Sequence, residues 1–201
     1  MRNPVRLKNF NARFLPLYVI GLVILATYSP DARSFGFAAP LWMAGVLLRG
    51  WGAGHLVKND ALTTTGPYAY LRHPLYLGTI LIGTGFAIAV GGFLSALALL
   101  AFWPWFAWHY FPRKEEVESS RLASRYGERF DRYRTAVPAL WPRWTAWRDT
   151  SSSAPESGEA PASGDSDWRL ERYSDNNELG TLLAVMIVGA FFGLRAFGWA
   201  A

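Results

Sequence analysis

The chain has 201 residues, of which 51% are hydrophobic and 17% are charged, and its formal net charge is +5. Soluble domains hold about 25% charged residues, so this composition predicts a membrane protein. Cysteine is absent, which excludes disulfides, zinc-thiolate sites and a cysteine nucleophile. The histidines, His55, His73 and His109, lack the spacing of metal ligands, and we predict no metal. The basic residues flank apolar segments, which favours topological signalling and contact with lipid headgroups over nucleic-acid binding.

The first part of the chain predicts two membrane helices. Residues 14–28 are free of charge after a basic start. Because no small-residue cleavage site follows, we expect a retained helix rather than a removed signal peptide. Residues 35–57 predict a second helix, which Arg49 interrupts. For this arginine we favour snorkelling or a structural ion pair over contact with an anionic ligand.

The longest charge-free run begins after Arg72 and ends before Arg113. As one helix it would extend about 60 Å, which is twice the hydrocarbon thickness of a bilayer. The run is therefore predicted to cross the membrane twice, with a break at the glycine pair 91–92. This break gives a third helix from about 75 to 89 and a fourth from about 93 to 111.

A charged helix is predicted next, from Pro112 to about Thr135. Its apolar positions Leu122, Tyr126 and Phe130 recur at intervals of four, which is typical of an amphipathic helix lying against a membrane or a helical bundle. Gly127 is expected to kink it.

Glu118 lies on the same face of this helix as the apolar residues. A carboxylate there is costly without a partner, and we predict a site residue in preference to an interfacial ion pair with Arg121 or Arg125. Glu115 and Glu116 are instead expected on a solvated face or in i,i+4 pairs with neighbouring bases.

The predicted fold class is all-α: a polytopic membrane helical bundle of about five spans with a cytoplasmic amphipathic helical segment. Residues 1–147 form the membrane domain, with its core motifs at 66–142. Residues 148–178, rich in serine and acidic residues, predict a disordered linker. Residues 179–201 predict an additional membrane helix. The basic loops place the N-terminus in the cytoplasm and the C-terminus on the other side, and we expect a bacterial inner membrane.

The stretch Gly66–Gly78, with the sequence GPYAYLRHPLYLG, is interpreted as the mouth of an active site. Pro67 and Pro74 fix two backbone φ angles and stiffen the loop between them. Arg72 and His73 then lie where water meets hydrocarbon, and a cation there can hold an anionic ligand group. The alternative for His73 is a hydrogen-bonded interfacial histidine that stabilises the turn.

Two blocks resemble the isoprenylcysteine carboxyl methyltransferase family and its relatives, which include the phospholipid methyltransferases. Residues 66–78 resemble the family signature Gly-x-Tyr…Arg-His-Pro-x-Tyr-x-Gly. Residues 118–138 are similar to its Glu-Glu-x-x-Leu-x-x-x-Phe-Gly-x-x-Tyr-x-x-Tyr-x-x-x-Val-Pro. Ser119 stands in place of the second Glu, Tyr126 in place of Phe and Phe130 in place of the first Tyr.

The resemblance implies an integral membrane methyltransferase that uses S-adenosylmethionine. Its acceptor would be a lipophilic small molecule, lipid or lipidated molecule, methylated on a carboxyl, thiol or amine group at the cytoplasmic interface. Catalytic roles are implied for Arg72, His73 and Glu118. The implied cofactor-binding residues are Tyr68, Arg72, His73, Pro74, Tyr76, Gly78, Glu118, Leu122 and Tyr126.

Two other hypotheses stay open from the sequence. One is an NADPH-dependent membrane reductase of related architecture, although the chain has no GxGxxG fingerprint. The other is a non-enzymatic membrane subunit whose last helix mediates helix association through its glycines. Binding of S-adenosylhomocysteine or of NADPH separates these hypotheses.

Overall fold

The computed structural model describes residues 31–57, 61–149 and 167–198, and within these ranges every regular element is helical. The α-helices are α1 (Ala32–His55), α2 (Pro74–Val90), α3 (Gly92–Pro104), α4 (Phe111–Ala136), α5 (Leu170–Asp175) and α6 (Glu178–Ala196). A 3-10 turn at Gly66–Ala69 precedes α2, and a π-helical turn at Trp105–Tyr110 joins α3 to α4. The predicted all-α class is confirmed.

The helix boundaries follow local chemistry. The Asp31 carboxylate caps α1 by accepting hydrogen bonds from the backbone N–H groups of Arg33 and Ser34, both at 2.9 Å. The break between α2 and α3 lies at Gly91 and Gly92, whose φ angles are 80° and 53°. Residues with side chains rarely adopt positive φ, which is why the chain turns at this glycine pair, as the sequence predicts.

Two helices of the described residues are long and apolar enough to cross a membrane. They are the continuous helix Gly92–Ala136, through its apolar first part, and α6, whereas α2 is apolar but has only 17 residues. The predicted first helix, at 14–28, lies outside the described residues. The five-span bundle is therefore not confirmed. The fourth predicted helix continues into α4 without a break.

Small residues let α1 and α2 approach each other closely. A Cβ atom added to Gly45 would lie 2.8 Å from the carbonyl oxygen of Gly78, and a Cβ added to Gly78 would overlap the side chain of Arg49. On another side of α1, Trp42 packs in a buried cluster with Val185 and Phe192 of α6. The predicted C-terminal helix is thus packed on the bundle.

Arg49 ties α1 to two other helices. Its Nε and Nη2 atoms donate to the carboxylate of Glu178 at 2.8 and 2.6 Å, and the Glu178 side chain is only 5% exposed. Its Nη1 atom donates to the carbonyl of Leu75 and to the hydroxyl of Thr79. Of the roles weighed for Arg49 from the sequence, the structure shows the structural ion pair.

The segment before α6 differs from the linker predicted for 148–178. Residues 150–166 lie outside the described residues, but α5 and its flanks dock on the end of α1. Trp168 donates its Nε1–H to the Gly50 carbonyl at 2.9 Å, and Asn176 donates to the Ala53 carbonyl at 2.8 Å. These donors satisfy carbonyls at the C-terminal end of α1, and composition alone does not reveal such contacts.

The polar helix α4 packs through the face that the sequence predicts. Phe130, Tyr133 and Val137 form a buried cluster with Leu62. Gly127 interrupts the helix with φ 47° and ψ −129°, at the position where the sequence predicts a kink. The α4 helix thereby lies along the loop that carries the sequence motif.

Candidate active site

The motif loop is anchored through Tyr68. This residue is buried, and its carbonyl oxygen accepts a hydrogen bond of 2.7 Å from the hydroxyl of Tyr133 on α4. Burial raises the pKa of the Tyr68 hydroxyl well above its ordinary value, so the group stays neutral. Gly66 begins the turn at φ 57°, against the ring of His55, where a Cβ atom would overlap the imidazole. The loop is therefore held in one conformation.

A second segment holds the motif loop from the other side. Residues 138–148, which we call the post-α4 loop, run beside residues 69–73. Four backbone hydrogen bonds join the two segments: Arg72 N to Pro138 O, His73 N to Ala139 O, Arg143 N to Tyr70 O and Trp147 N to Ala69 O, at 2.9 to 3.0 Å. Arg72 and His73 therefore have their main chain fixed as well as their side chains.

Glu115 contacts both basic residues of the motif. Its Oε1 atom accepts a hydrogen bond of 2.6 Å from Nη1 of Arg72, and its Oε2 atom contacts Nε2 of His73. Ser119, one turn further along α4, donates its hydroxyl to the same carboxylate at 3.3 Å. Burial raises the pKa of Glu115, but the contacts with His73 and Arg72 outweigh burial and bring the pKa to about 2. Glu115 is thus ionised at neutral pH.

Glu118 lies on the other side of the His73 ring. Its Oε2 atom is 3.8 Å from Nδ1 of His73 and accepts a hydrogen bond of 3.1 Å from the hydroxyl of Tyr76. Its side chain is 35% exposed, which leaves it open to a ligand. Glu118 therefore contacts His73 and Tyr76, and its observed partners are not Arg121 or Arg125.

Arg72, His73 and Glu118 face a cavity of about 230 Å³ between α4, the motif loop and residues 56–57 and 61–63. The predicted site residues that line it are Tyr68, Arg72, His73, Glu118, Leu122 and Tyr126. The same wall includes Arg121 and Arg125, and apolar side chains at 56–57 and 61–62 form its opposite side. An apolar wall with a few convergent polar groups is typical of a small-molecule site.

Three residues implied by the resemblance lie outside the cavity wall. Pro74 begins α2 and is buried. Gly78 provides the close approach of α2 to α1. The ring of Tyr76 packs against the rings of His73, Tyr110 and Phe111, and its hydroxyl donates to Glu118. Their binding of a cofactor stays a prediction.

The contacts of Glu115 with Arg72 and His73 were not predicted, because Glu115 was assigned to a solvated face or to i,i+4 pairs with neighbouring bases. One signal was present in the sequence: Glu115 precedes Leu122 by seven residues and therefore lies on the same stripe of α4. The hydroxyl of Ser119, whose partner is Glu115 one turn away, was also missed. The phenol of Tyr133 was missed because its partner Tyr68 is remote in sequence.

The fold and the site together define a class: a protein of apolar helices with a cavity at one end of them, lined by Arg72, His73 and Glu118, with Glu115 in contact with the two basic residues. Residues 41–129 match the family model described as phospholipid methyltransferase. This match and the similar proteins below confirm the resemblance that the two sequence blocks carry, which is to the phospholipid methyltransferases and the isoprenylcysteine methyltransferases.

Of three similar proteins, two are named as methyltransferases and one as a metal-resistance protein. The chain is 28% identical over 141 residues to the protein-S-isoprenylcysteine O-methyltransferase of Schizosaccharomyces pombe, covering 67% of this chain and 58% of that protein. It is 27% identical to the Xenopus laevis protein of the same name, covering 63% of this chain and 41% of the relative. It is also 38% identical to the cobalt-zinc-cadmium resistance protein CzcN of Cupriavidus metallidurans, over 47% of this chain and 42% of the relative. The chain thus spans only part of these relatives. No solved structure gives a significant match.

Proposed function

We propose that this protein is an S-adenosylmethionine-dependent methyltransferase that acts on a lipophilic acceptor at the cytoplasmic face of a membrane. The observation that carries the proposal is the cavity in which the motif residues Arg72 and His73 meet Glu118 of α4. The names of the relatives support the same reaction class.

The residues that line the cavity fit the charges of this cofactor. Its ammonium group needs an acceptor, and Glu118 is a half-exposed carboxylate that faces the cavity. Its carboxylate needs a cation, which Arg72 or His73 supplies, and Arg121 and Arg125 add positive charge on the same wall. Its sulfonium suits an aromatic face, which Tyr68 and Tyr126 provide. We expect these residues to hold the cofactor.

When bound, S-adenosylmethionine supplies a methyl group activated by a cationic sulfur. The contribution of this chain is to fix the two reactants at near-attack distance, and the hydrogen-bonded motif loop and post-α4 loop give the rigidity that such positioning needs. A carboxylate acceptor requires no base. For an amine or thiol acceptor, His73 or Glu118 would accept the proton.

A lipophilic acceptor would reach the site from the apolar side of the bundle. The ring of Phe111 lies 5.7 Å from that of His73 and 5.9 Å from that of Tyr76. Tyr110 and Trp105 continue this aromatic surface, and Trp105 is 49% exposed. An acceptor with a long apolar chain would lie along these rings with its polar group at His73.

The decisive test is isothermal titration of S-adenosylhomocysteine into the detergent-purified chain. We expect saturable binding that weakens about tenfold or more in His73→Ala, because a group that touches the ligand is lost. His109→Ala is the matched control: His109 is exposed and contacts Arg113, away from the cavity, and its loss should leave binding unchanged.

Two outcomes would contradict the proposal. Binding of NADPH with no response to S-adenosylhomocysteine would favour a reductase. Failure of a folded chain to bind either ligand would favour a non-enzymatic subunit.

A further inference from the structure

The post-α4 loop presents two tryptophans to the outside of the molecule. Trp141 is 84% exposed and Trp144 is 99% exposed. Tryptophan carries one of the largest apolar surfaces among side chains, and two such rings close together in sequence form an apolar surface for which the described residues provide no cover.

The loop holds these rings in fixed positions. Before them Ala139 accepts a hydrogen bond from His73, between them Arg143 donates to the Tyr70 carbonyl, and after them Trp147 donates to the Ala69 carbonyl. The ring of Trp147 also packs on Tyr133 at 5.2 Å. Trp141 and Trp144 therefore extend from a segment that is tied to the rest of the protein at both ends.

The position of the loop relates the rings to the apolar helices. His73, which pairs with Ala139, is followed directly by Pro74, where the apolar helix α2 begins. Trp51, in the last turns of α1, lies 6.3 Å from the ring of Tyr70 in the motif loop. The loop thus lies at the level where the apolar helices end, and tryptophan is enriched at this level of membrane proteins.

The charges near the loop complement a lipid surface. Arg143 and Arg148 belong to the loop, and the exposed Arg134 ends the nearby helix α4. Basic side chains beside aromatic rings at the level where apolar helices end are attracted to anionic headgroups. The combination favours a membrane surface over a protein partner.

We propose that the post-α4 loop is an interfacial anchor, in which Trp141 and Trp144 insert into the headgroup layer of the membrane that the apolar helices enter. Because the loop is hydrogen-bonded to Arg72 and His73, the anchor fixes the depth of the cavity relative to the lipid. This inference goes beyond the proposed function, and its test does not depend on turnover.

The absence of cysteine allows a direct test. Trp144→Cys and, separately, Trp141→Cys are labelled with a nitroxide and placed in nanodiscs of phosphatidylethanolamine and phosphatidylglycerol. Spin-label relaxation then compares collisions with oxygen, which enters lipid, and with a water-soluble nickel chelate. Leu100→Cys, on the exposed apolar face of α3, is the lipid control, and Glu128→Cys, on the charged part of α4, is the water control.

We expect both loop labels to be shielded from nickel and to fall between the two controls in depth. Nickel accessibility equal to that of Glu128→Cys at both positions would overturn the proposal. A second measurement needs no label: lipids brominated near the headgroup should quench the chain less strongly after Trp141→Ala and Trp144→Ala are combined. An unchanged quenched fraction would likewise overturn it.

Discussion

At the scale of single residues, Glu115 determines how the two basic groups of the motif are presented. It contacts Arg72 and His73 at once, so each of them is restrained by a carboxylate on one side and left open to the cavity on the other. Hydrogen bonds between ionised groups are among the stronger ones in proteins. Glu115 is therefore a positioning residue for Arg72 and His73 under the proposed function.

We predict that Glu115→Gln weakens S-adenosylhomocysteine binding about tenfold, because Arg72 and His73 lose their ionic partner. Titration calorimetry measures the effect. Glu116→Gln is the matched control, since the neighbouring Glu116 is exposed.

A second test moves the carboxylate by one helical turn, from position 115 to position 119. Ser119 is buried and touches Glu115, so a glutamate at 119 would enter the same space. Glu115→Ser should lose binding, and the addition of Ser119→Glu should restore part of it. Equal binding by Glu115→Ser and the unaltered chain would contradict the positioning role.

From the sequence, Arg72, His73 and Glu118 are predicted to form a site, and all three line one cavity in the structure, while their roles stay a prediction. Glu115 was not identified, because its role depends on where His73 lies, 42 positions earlier in the chain. The sequence around a residue cannot show a role that depends on a partner far away in the chain.

At the scale of elements, the C-terminal helix is joined to the bundle by a buried ion pair. Arg49 and Glu178 have side chains that are 18% and 5% exposed. Removal of one partner leaves a buried charge uncompensated, which costs about 3 to 5 kcal/mol, whereas replacement of both by apolar residues is often neutral.

We therefore predict that Glu178→Leu destabilises the protein strongly and that the double variant Arg49→Leu with Glu178→Leu is more stable than Glu178→Leu alone. Thermal unfolding in detergent measures the difference. Glu171→Leu on the neighbouring α5 is the control, because Glu171 is exposed. Additive losses in the double variant would contradict the pairing as the cause.

The elements that could be predicted are those set by local chemistry. The break at Gly91 and the kink at Gly127 follow from glycine at positive φ, and the packed face of α4 follows from its apolar spacing. The docking of α5 could not be predicted, because Trp168 and Asn176 find their partners on α1, more than 100 positions away. Composition described the segment correctly as polar but could not reveal those partners.

At the scale of the whole molecule, the two ends of the bundle have different chemistry. The end of α1, the start of α2 and the start of α6 meet around Arg49, at the end of the bundle that carries the motif loop. The other end holds the α2–α3 turn at Gly91, which lies close to Asp31 and Ser34 at the start of α1. In a membrane the two ends would face opposite sides.

We predict that cysteines placed at the two ends react from opposite sides of a sealed membrane. Ser120→Cys, on exposed α4, should react with an impermeant maleimide in inverted vesicles, and Arg33→Cys, at the start of α1, should react in right-side-out cells. Basic residues gather at the cavity end, and we therefore predict that this end faces the cytoplasm. Reaction of both cysteines from the same side would contradict the predicted orientation.

The docking of α5 and α6 on α1 has a consequence for how the molecule holds together. Trp168, Asn176 and Glu178 attach the C-terminal region through hydrogen bonds and an ion pair that are already complete within the described residues. We therefore expect these contacts to hold the C-terminal region on α1 even after cleavage of the chain between residues 150 and 166. The last helix would then stay bound to the rest of the protein through non-covalent contacts alone, as a separate subunit does.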